Sequence, residues 1–298
     1  MSTDRGGGSG RLFLALAAVV ALAAALPARA LPAWVSVGER LEYRVAVWGL
    51  QAGQAEFDYD PAGDGAHDYR IVARLWTTPG LLSFLDVRDR VRVSGAHDPA
   101  SGKLFLSRRF EQRLHEGDFR ADKVVTYDRD TDKVSFVNRR APDSPPQVSR
   151  LVAGMRDMFS ALYYLRATVG STPVGASFTV PVHDLTDSYR LRITVVRRET
   201  MKTVVGRVPV LYLKPHWTRL GKVPEGKSAS EESKLRIWVT DDARRLPVKI
   251  RMGLPVGAFT ARLTAVRGGG SPSQAPADLP ATGPVGHRAR AARAPEDG

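Results

Sequence analysis

The chain is 298 residues long and carries 44 Lys and Arg against 31 Asp and Glu, a formal net charge of +13, with no cysteine. Without cysteine there is no disulfide framework, no cysteine-based zinc site and no cysteine lipidation, so stability must come from a full hydrophobic core. The basic residues are scattered, with no run of five or six, arginine exceeds lysine and asparagine occurs once, at Asn138; this reads as a solvated surface written by a GC-rich genome, speaks against nucleic acid as a partner, and leaves a weak attraction to phosphate-rich lipid.

Arg5 and Arg11 open the chain, Leu12 to Leu26 is an unbroken apolar run, and Pro27 breaks it before Ala28-Arg29-Ala30. This is the layout of a secretory signal peptide over residues 1–30, with cleavage after Ala30. A membrane-spanning helix normally needs about 20 apolar residues, more than this run supplies. The expected location is the periplasm, with secretion as the alternative.

From Val37 to Val266 period-two alternation dominates, the mark of half-buried strands. Leu41, Tyr43, Val45 and Val47 share one face, the Gly49–Gly53 segment turns the chain, and Ala55, Phe57 and Tyr59 resume the pattern. That predicts a hairpin. The turn cluster 60–65 precedes Tyr69, Ile71, Ala73 and Leu75, and the cluster 98–102 closes a stretch through Val87, Val91 and Val93. Further strands are expected over 104–110, 119–127 and 134–138, the last two joined by the acidic turn 128–132.

After the breaker 142–146, Met158, Leu162 and Leu165 fall on one helical face, with Phe159 and Tyr163 beside it. The spacing predicts an amphipathic helix over 157–166 with Leu162 at its centre, Asp157 at its positive end and Arg166 at its negative end. Strands return over 178–182, 189–196 and 208–213, the last halted by Pro215. The final hairpin pairs Leu235, Ile237 and Val239 with Val248, Ile250 and Met252 across the turn 241–244, Pro247 marking where its second strand begins. Phe259, Ala261 and Leu263 make a last strand. Residues 31–267 therefore predict a mainly β domain, a single curled antiparallel sheet or incomplete barrel with the helix packed in or against it. Residues 268–298 lose all apolar periodicity and read as a disordered Pro/Ala/Gly-rich tail.

Each chemical motif has a plainer reading. Residues 279–283, Leu-Pro-Ala-Thr-Gly, match a sortase signal but no apolar stretch follows. Asp128, Asp130 and Asp132 have calcium-loop spacing, yet Lys133 and Arg139 stand where glycine and glutamate belong, so a hairpin turn is expected and no metal. His67, His97 and His115 lie in or beside turns. His183 and Asp184 with Ser160 could form a triad, but no nucleophile elbow surrounds Ser160. No cofactor is implied.

Three residues break the parity rule. Asp89 shares the parity of Val87, Val91 and Val93, which requires either a bulge or a buried carboxylate facing a cavity. Trp48 and Trp238 fall on the polar parity of their strands: either those faces are covered by the helix and loops, in ordinary two-sided packing, or they line a pocket inside a curved sheet. With Tyr163 on the helix, these are the candidate pocket residues: Trp48, Asp89, Tyr163 and Trp238.

Gly49-Leu50-Gln51-Ala52-Gly53 after Trp48, Asp157-x-x-Ser160-Ala161-Leu162-Tyr163-Tyr164-Leu165-Arg166, Ile237-Trp238-Val239-Thr240-Asp241-Asp242 and Arg245-Leu246-Pro247-Val248-Lys249-Ile250 follow in a characteristic order. Over Val37 to Val266 the chain resembles the bacterial envelope family catalogued as domain of unknown function 3108. The resemblance marks Gly49, Gly53, Asp157, Ser160, Leu162, Arg166, Asp241, Asp242 and Pro247 as its structural motif and supplies no catalytic residue. It implies an exported β-rich protein with fold kinship to the incomplete barrel of the LolA/LolB lipoprotein carriers and of RseB-type sensors.

The expected function is non-enzymatic: an envelope protein whose concave apolar interior binds a lipid, a lipoprotein acyl chain or another apolar ligand. The alternative is a protein–protein module of envelope assembly or stress signalling, with an envelope protein as partner. A hydrolase is third.

Overall fold

The computed structural model describes residues 32–61, 68–80, 86–98, 102–221, 230–254 and 257–268. The segment expected to be a signal peptide, His67 and most of its turn, residues 99–101, and residues 269–298 of the expected tail with its sortase-like motif lie outside the described residues.

After a 3-10 turn at Ala33–Ser36 come β1 (Glu39–Val47), β2 (Leu50–Asp60), β3 (Asp68–Thr77), β4 (Arg88–Asp98), β5 (Lys103–Glu116), β6 (Phe119–Asp128), β7 (Lys133–Asn138) and β8 (Gln147–Arg150). The helix α1 (Met158–Val169) follows. Then come β9 (Ser177–Asp184), β10 (Asp187–Thr203), β11 (Gly206–Leu220), β12 (Ser230–Glu232), β13 (Leu235–Thr240), β14 (Pro247–Gly253) and β15 (Ala258–Gly268).

The strands form one antiparallel sheet in the order β8-β7-β6-β5-β4-β3-β2-β1-β15-β14-β13-β11-β10-β9, with β12 on the side of β11. The first strand pairs with the last, so the middle of the sheet is sealed by the two ends of the domain. The sheet does not close into a barrel: β8 and β9 remain its edges. Between them the chain itself makes a stitch. Leu151 N–H donates to Asp132 O on one side, while Arg156 N–H donates to Pro181 O and Arg156 O accepts from His183 N–H on the other. The helix enters directly from that stitch and lies inside the curl, where none of its residues is exposed.

Local chemistry explains the corners. Trp48 and Gly49 both take positive φ, 54° and 83°, the two-residue turn that suits the twist of a tight hairpin. Gly53 is therefore inside β2 rather than in the turn. A Cβ on it would stand 2.2 Å from Trp76 O, so the close approach of β3 demands glycine. Pro247 opens β14 as proline should. Two expectations are corrected. β11 runs through Pro215 to Leu220, because Pro215 falls between the stretches paired with β13 and β12, where that edge needs no donor. β8 forms just beyond the Pro142–Pro146 segment, held by β7 alone.

The interior packs around the helix on two sides. Tyr163 joins Trp34, Tyr59, Tyr69 and Phe105 in an aromatic cluster against the β2–β7 half. Ala161, Leu165 and Val169 pack on Val180, Val182, Ile193 and Leu213 of the β9–β13 half. Leu162 is only half-buried at the flank of the second cluster. The centre expected at Leu162 is thus taken by Tyr163 and Leu165, because a helix enclosed on both sides has no single apolar face.

Candidate functional site

The helix is held at each end by buried polar groups. At its start Asp157 is the N-cap, its Oδ1 accepting from the amides of Phe159 (2.8 Å) and Ser160 (3.0 Å). Its Oδ2 accepts from the hydroxyls of Ser107 and Ser160, while Asp157 N–H donates to Ser107 Oγ at 2.8 Å. Since the Ser160 proton goes to Asp157, the Tyr69 hydroxyl donates to Ser160 Oγ across 2.7 Å. Burial pushes the Tyr69 phenol far up, so that donor stays protonated. Beside this network Arg156 donates to Leu104 O at 2.9 and 2.7 Å and lies over the Tyr164 ring. Burial, the largest influence on it, pulls the Arg156 guanidinium down to about 10. Sequence spacing expected Ser160 to be a packed serine; it is packed, and bonded on two sides as well.

Near the far end Arg166 is wholly buried. It donates to both Glu39 oxygens, to Arg245 O and to Arg244 O, with its guanidinium 4.0 Å from the centre of the Trp34 ring. Burial opposes its charge, and the Glu39 carboxylate outweighs burial, so Arg166 is held above its ordinary range. The turn that presents those two carbonyls is built by Asp242, whose Oδ1 accepts from Thr240 Oγ1, Arg244 N–H and Arg245 N–H. Asp241 pairs with Arg198 and Arg245, and Tyr43 donates to Pro247 O at 3.0 Å. Arg166 was expected to serve the helix dipole; its partners are instead β1 and the 241–245 turn.

These clamps leave a cavity of about 210 Å³ at the seam between β6 and β9. Its apolar walls come from Phe110, Val125, Tyr127, Met158, Phe159 and Leu185, and its polar margin from Gln112, His183 and Asp184. Gln112 Oε1 is buried and, among the described residues, accepts no hydrogen bond. A second cavity of about 260 Å³ adjoins the Arg166 clamp, walled by Pro32, Leu104, Ala167 and Gly170 with Arg245.

None of the four predicted pocket residues lines the seam cavity. Trp48 is 54% exposed, on the β1–β2 turn over Gly257. Trp238 is on the outer face, tilted against the Tyr212 ring with centres 4.9 Å apart and donating Nε1–H to Glu199 at 2.6 Å. The two off-parity tryptophans therefore both lie outside the interior, Trp238 covered by its neighbours and Trp48 left largely exposed. Tyr163 is buried in the aromatic cluster, filling the interior rather than lining a hollow. Asp89 does point inward: β4 keeps its parity there, and its bulges lie farther on, at Ser94/Gly95 and Ala96/Asp98. Its Oδ1 accepts from His115 N–H at 3.0 Å, and burial raises the carboxyl to about 6. Gln112 escaped the sequence reading because the strand was ended at Phe110; carried two residues further, alternation would have placed a polar side chain inside.

No triad assembles around Ser160. His183 is buried in β9, where Nε2–H donates to Leu185 O at 2.7 Å and Nδ1 accepts from the Ser188 hydroxyl at 2.9 Å. Both ring nitrogens are thus engaged away from Ser160, and burial lowers the imidazole's affinity for a second proton. In the acidic turn Asp128 accepts from Asp130 N–H, Thr131 N–H and Thr131 Oγ1, a self-capped turn.

The family model of the proteins of unknown function DUF3108 matches residues 41–264, and the chain belongs to that family. No curated protein matches it. One similar solved structure is the beta-barrel-like protein of domain of unknown function DUF1849 from Brucella abortus, at 10% identity and a TM-score of 0.47, covering 77% of this chain and 97% of that one.

Proposed function

We propose that this DUF3108 protein is a non-enzymatic, exported envelope protein that seats the apolar end of an amphiphile, a lipid or a lipoprotein acyl chain, in the seam cavity. The observation that carries the reading is a cavity with mainly apolar lining residues and one unsatisfied acceptor, Gln112 Oε1, among its polar ones. A buried polar atom without a partner costs about 1–3 kcal/mol, which a hydroxyl, amide or ammonium donor on a ligand would relieve. At about 210 Å³ the space is below the ~300–1,000 Å³ of sites that swallow whole drug-sized ligands, so the chain end enters and the head group stays at the rim. Its wall includes His183 and Asp184 of the edge strand β9, so an entrance on that side separates no pair of strands.

Protein purified from its own envelope should release an amphiphile on solvent extraction, seen as a mass increment by native mass spectrometry. Val125→Phe, which fills the cavity, should lose it, and Gln112→Leu should weaken its retention while folding normally. An empty wild-type protein that also fails to bind a fluorescent fatty-acid probe overturns the proposal. The rival, a protein-binding module, is favoured by one observation: the short edge strand β8 leaves Val148 59% exposed beside an open edge. A stoichiometric protein crosslink through β8 with no lipid would favour it.

A further inference from the structure

We infer that the outer face of β1, β15 and β14, with the adjoining β1–β2 turn, is a docking surface for an anionic phospholipid membrane. Arg44 stands directly opposite Arg262, and Arg262 directly opposite Lys249. Arg251 follows two positions along β14, on the same face. The intervening Val45, Ala261 and Ile250 pack into the core, so all four cationic side chains project outward. With strands about 4.8 Å apart and about 6.7 Å between every second residue, the four charges spring from an area of roughly 10 by 7 Å.

Among the described residues Arg44, Arg251 and Arg262 form no ion pair or hydrogen bond with a carboxylate. Lys249 sits 4.2 Å from the Trp238 ring centre. The nearby acid, Glu199, is already held by Arg197 and by Trp238 Nε1–H. Burial and then the repulsion of Arg262 and Arg251 pull the Lys249 ammonium below its ordinary value. Like charges directly opposite in a sheet are destabilising. On the other half of the same outer face many arginines are compensated: Arg40 pairs with Asp58, Arg70 with Asp60, Arg74 with Glu56, Arg108 with Asp68 and Arg109 with Glu111, although Arg90, directly opposite Arg74 and Arg113, repeats the like-charge arrangement there. The patch differs from that row in that both neighbours of Arg90 have a carboxylate, Arg74 with Glu56 and Arg113 with Asp122, whereas Arg44, Arg251 and Arg262 have none among the described residues.

Trp48 and Leu50 decide between a membrane and a soluble polyanion. They are 54% and 42% exposed at the end of the strands that carry the patch. An exposed tryptophan and leucine next to unpaired cations suit the interface of a bilayer, where the ring sits among head groups and the cations meet phosphate. A soluble polyanion would use only the charges. The face lies at the middle of the strand order, far from the β8–β9 seam, so the inference is independent of the cavity.

The test is flotation of the mature protein with vesicles of phosphatidylglycerol and phosphatidylcholine, against phosphatidylcholine alone. Binding is expected only with the anionic lipid. Each neutralised cation should weaken partitioning about fivefold, so Arg44→Gln with Arg262→Gln should cost about 25-fold. Trp48→Ala should weaken it further, and Arg70→Gln with Arg109→Gln on the paired half should leave it unchanged. Circular dichroism and the thermal midpoint establish that each variant is folded. Absence of anionic-lipid binding, or binding indifferent to the Arg44 and Arg262 changes, overturns the inference. Binding lost with the arginines but indifferent to Trp48→Ala, and abolished by soluble heparin, would make this a polyanion site instead.

Discussion

Arg166 in the last turns of the helix and Glu39 at the first position of β1 form a two-toothed ion pair 127 residues apart, with neither side chain accessible to solvent. The guanidinium also caps two carbonyls of the 241–245 turn and lies against Trp34. One arginine thereby joins the chain's beginning, its middle and its final hairpin. A buried pair gains little over apolar residues of the same size but is costly to break singly. Glu39→Gln should therefore destabilise the domain by about 3–5 kcal/mol in urea unfolding. Glu39→Leu combined with Arg166→Met should be less destabilised than either single change. If the double variant loses the sum of both, the pair is not coupled as described.

Ser160 and Leu162 provide a second comparison. Ser160→Ala removes the acceptor of the Tyr69 hydroxyl and a donor to Asp157, leaving buried groups short of partners at about 1–3 kcal/mol. Leu162 is half-buried, so Leu162→Ala should fall below the ~2–5 kcal/mol typical of core leucines. Ser160→Ala is expected to cost at least as much. A clearly larger loss for Leu162→Ala would place the helix in a different rotation about its axis.

Gly95 is a steric requirement. A Cβ there would lie 2.2 Å from Leu106 O and 2.3 Å from Tyr69 Oη, so Tyr69 reaches Ser160 only across a residue without a side chain. Gly95→Ala should cost more than the ~1–3 kcal/mol of ordinary overpacking, because the obstructing atoms include backbone. The double variant Gly95→Ala, Tyr69→Phe should recover little, since the clash with Leu106 O remains. Thermal unfolding of the two variants decides the matter.

The Asp89 carboxyl rises from the ordinary 3.8 to about 6, chiefly by burial, with Glu116 adding repulsion and the His115 amide opposing both. Between about pH 4 and 6 the folded state therefore holds more protons at this site than the unfolded chain. Its contribution to stability falls as pH rises through that window and stays low above it. Asp89→Asn keeps an acceptor for His115 N–H, and should be more stable than wild type at pH 7–8 with the advantage shrinking toward pH 4. His183, lowered by burial, acts in the opposite direction, costing stability as pH falls through the ordinary histidine range near 6.5. The difference between wild type and Asp89→Asn isolates Asp89. An equal gain at pH 4 and pH 8 would show that the carboxylate's charge is not what matters.

Alternation in the sequence determined the strands, because whether a residue suits a pleated, half-buried surface is settled by its immediate neighbours. The same holds for the Trp48–Gly49 hairpin, the Pro247 strand start and the Asp157 helix start, each encoded within a few residues. Asp89 was legible too, as a carboxylate on an apolar parity. The structure alone decided where the polar-parity aromatics lie, since Trp238 is covered by groups such as Tyr212 from a strand distant in sequence while Trp48 stays exposed beside Gly257. It alone showed that Tyr163 and Leu165, not Leu162, occupy the middle, because periodicity along a helix names a face only when one side is wet. The Arg166–Glu39 pair and the seam cavity are products of how far the sheet curls before its edges stop. That closure is the sum of twist and bulges over fourteen strands in a row, and no local stretch of sequence contains it.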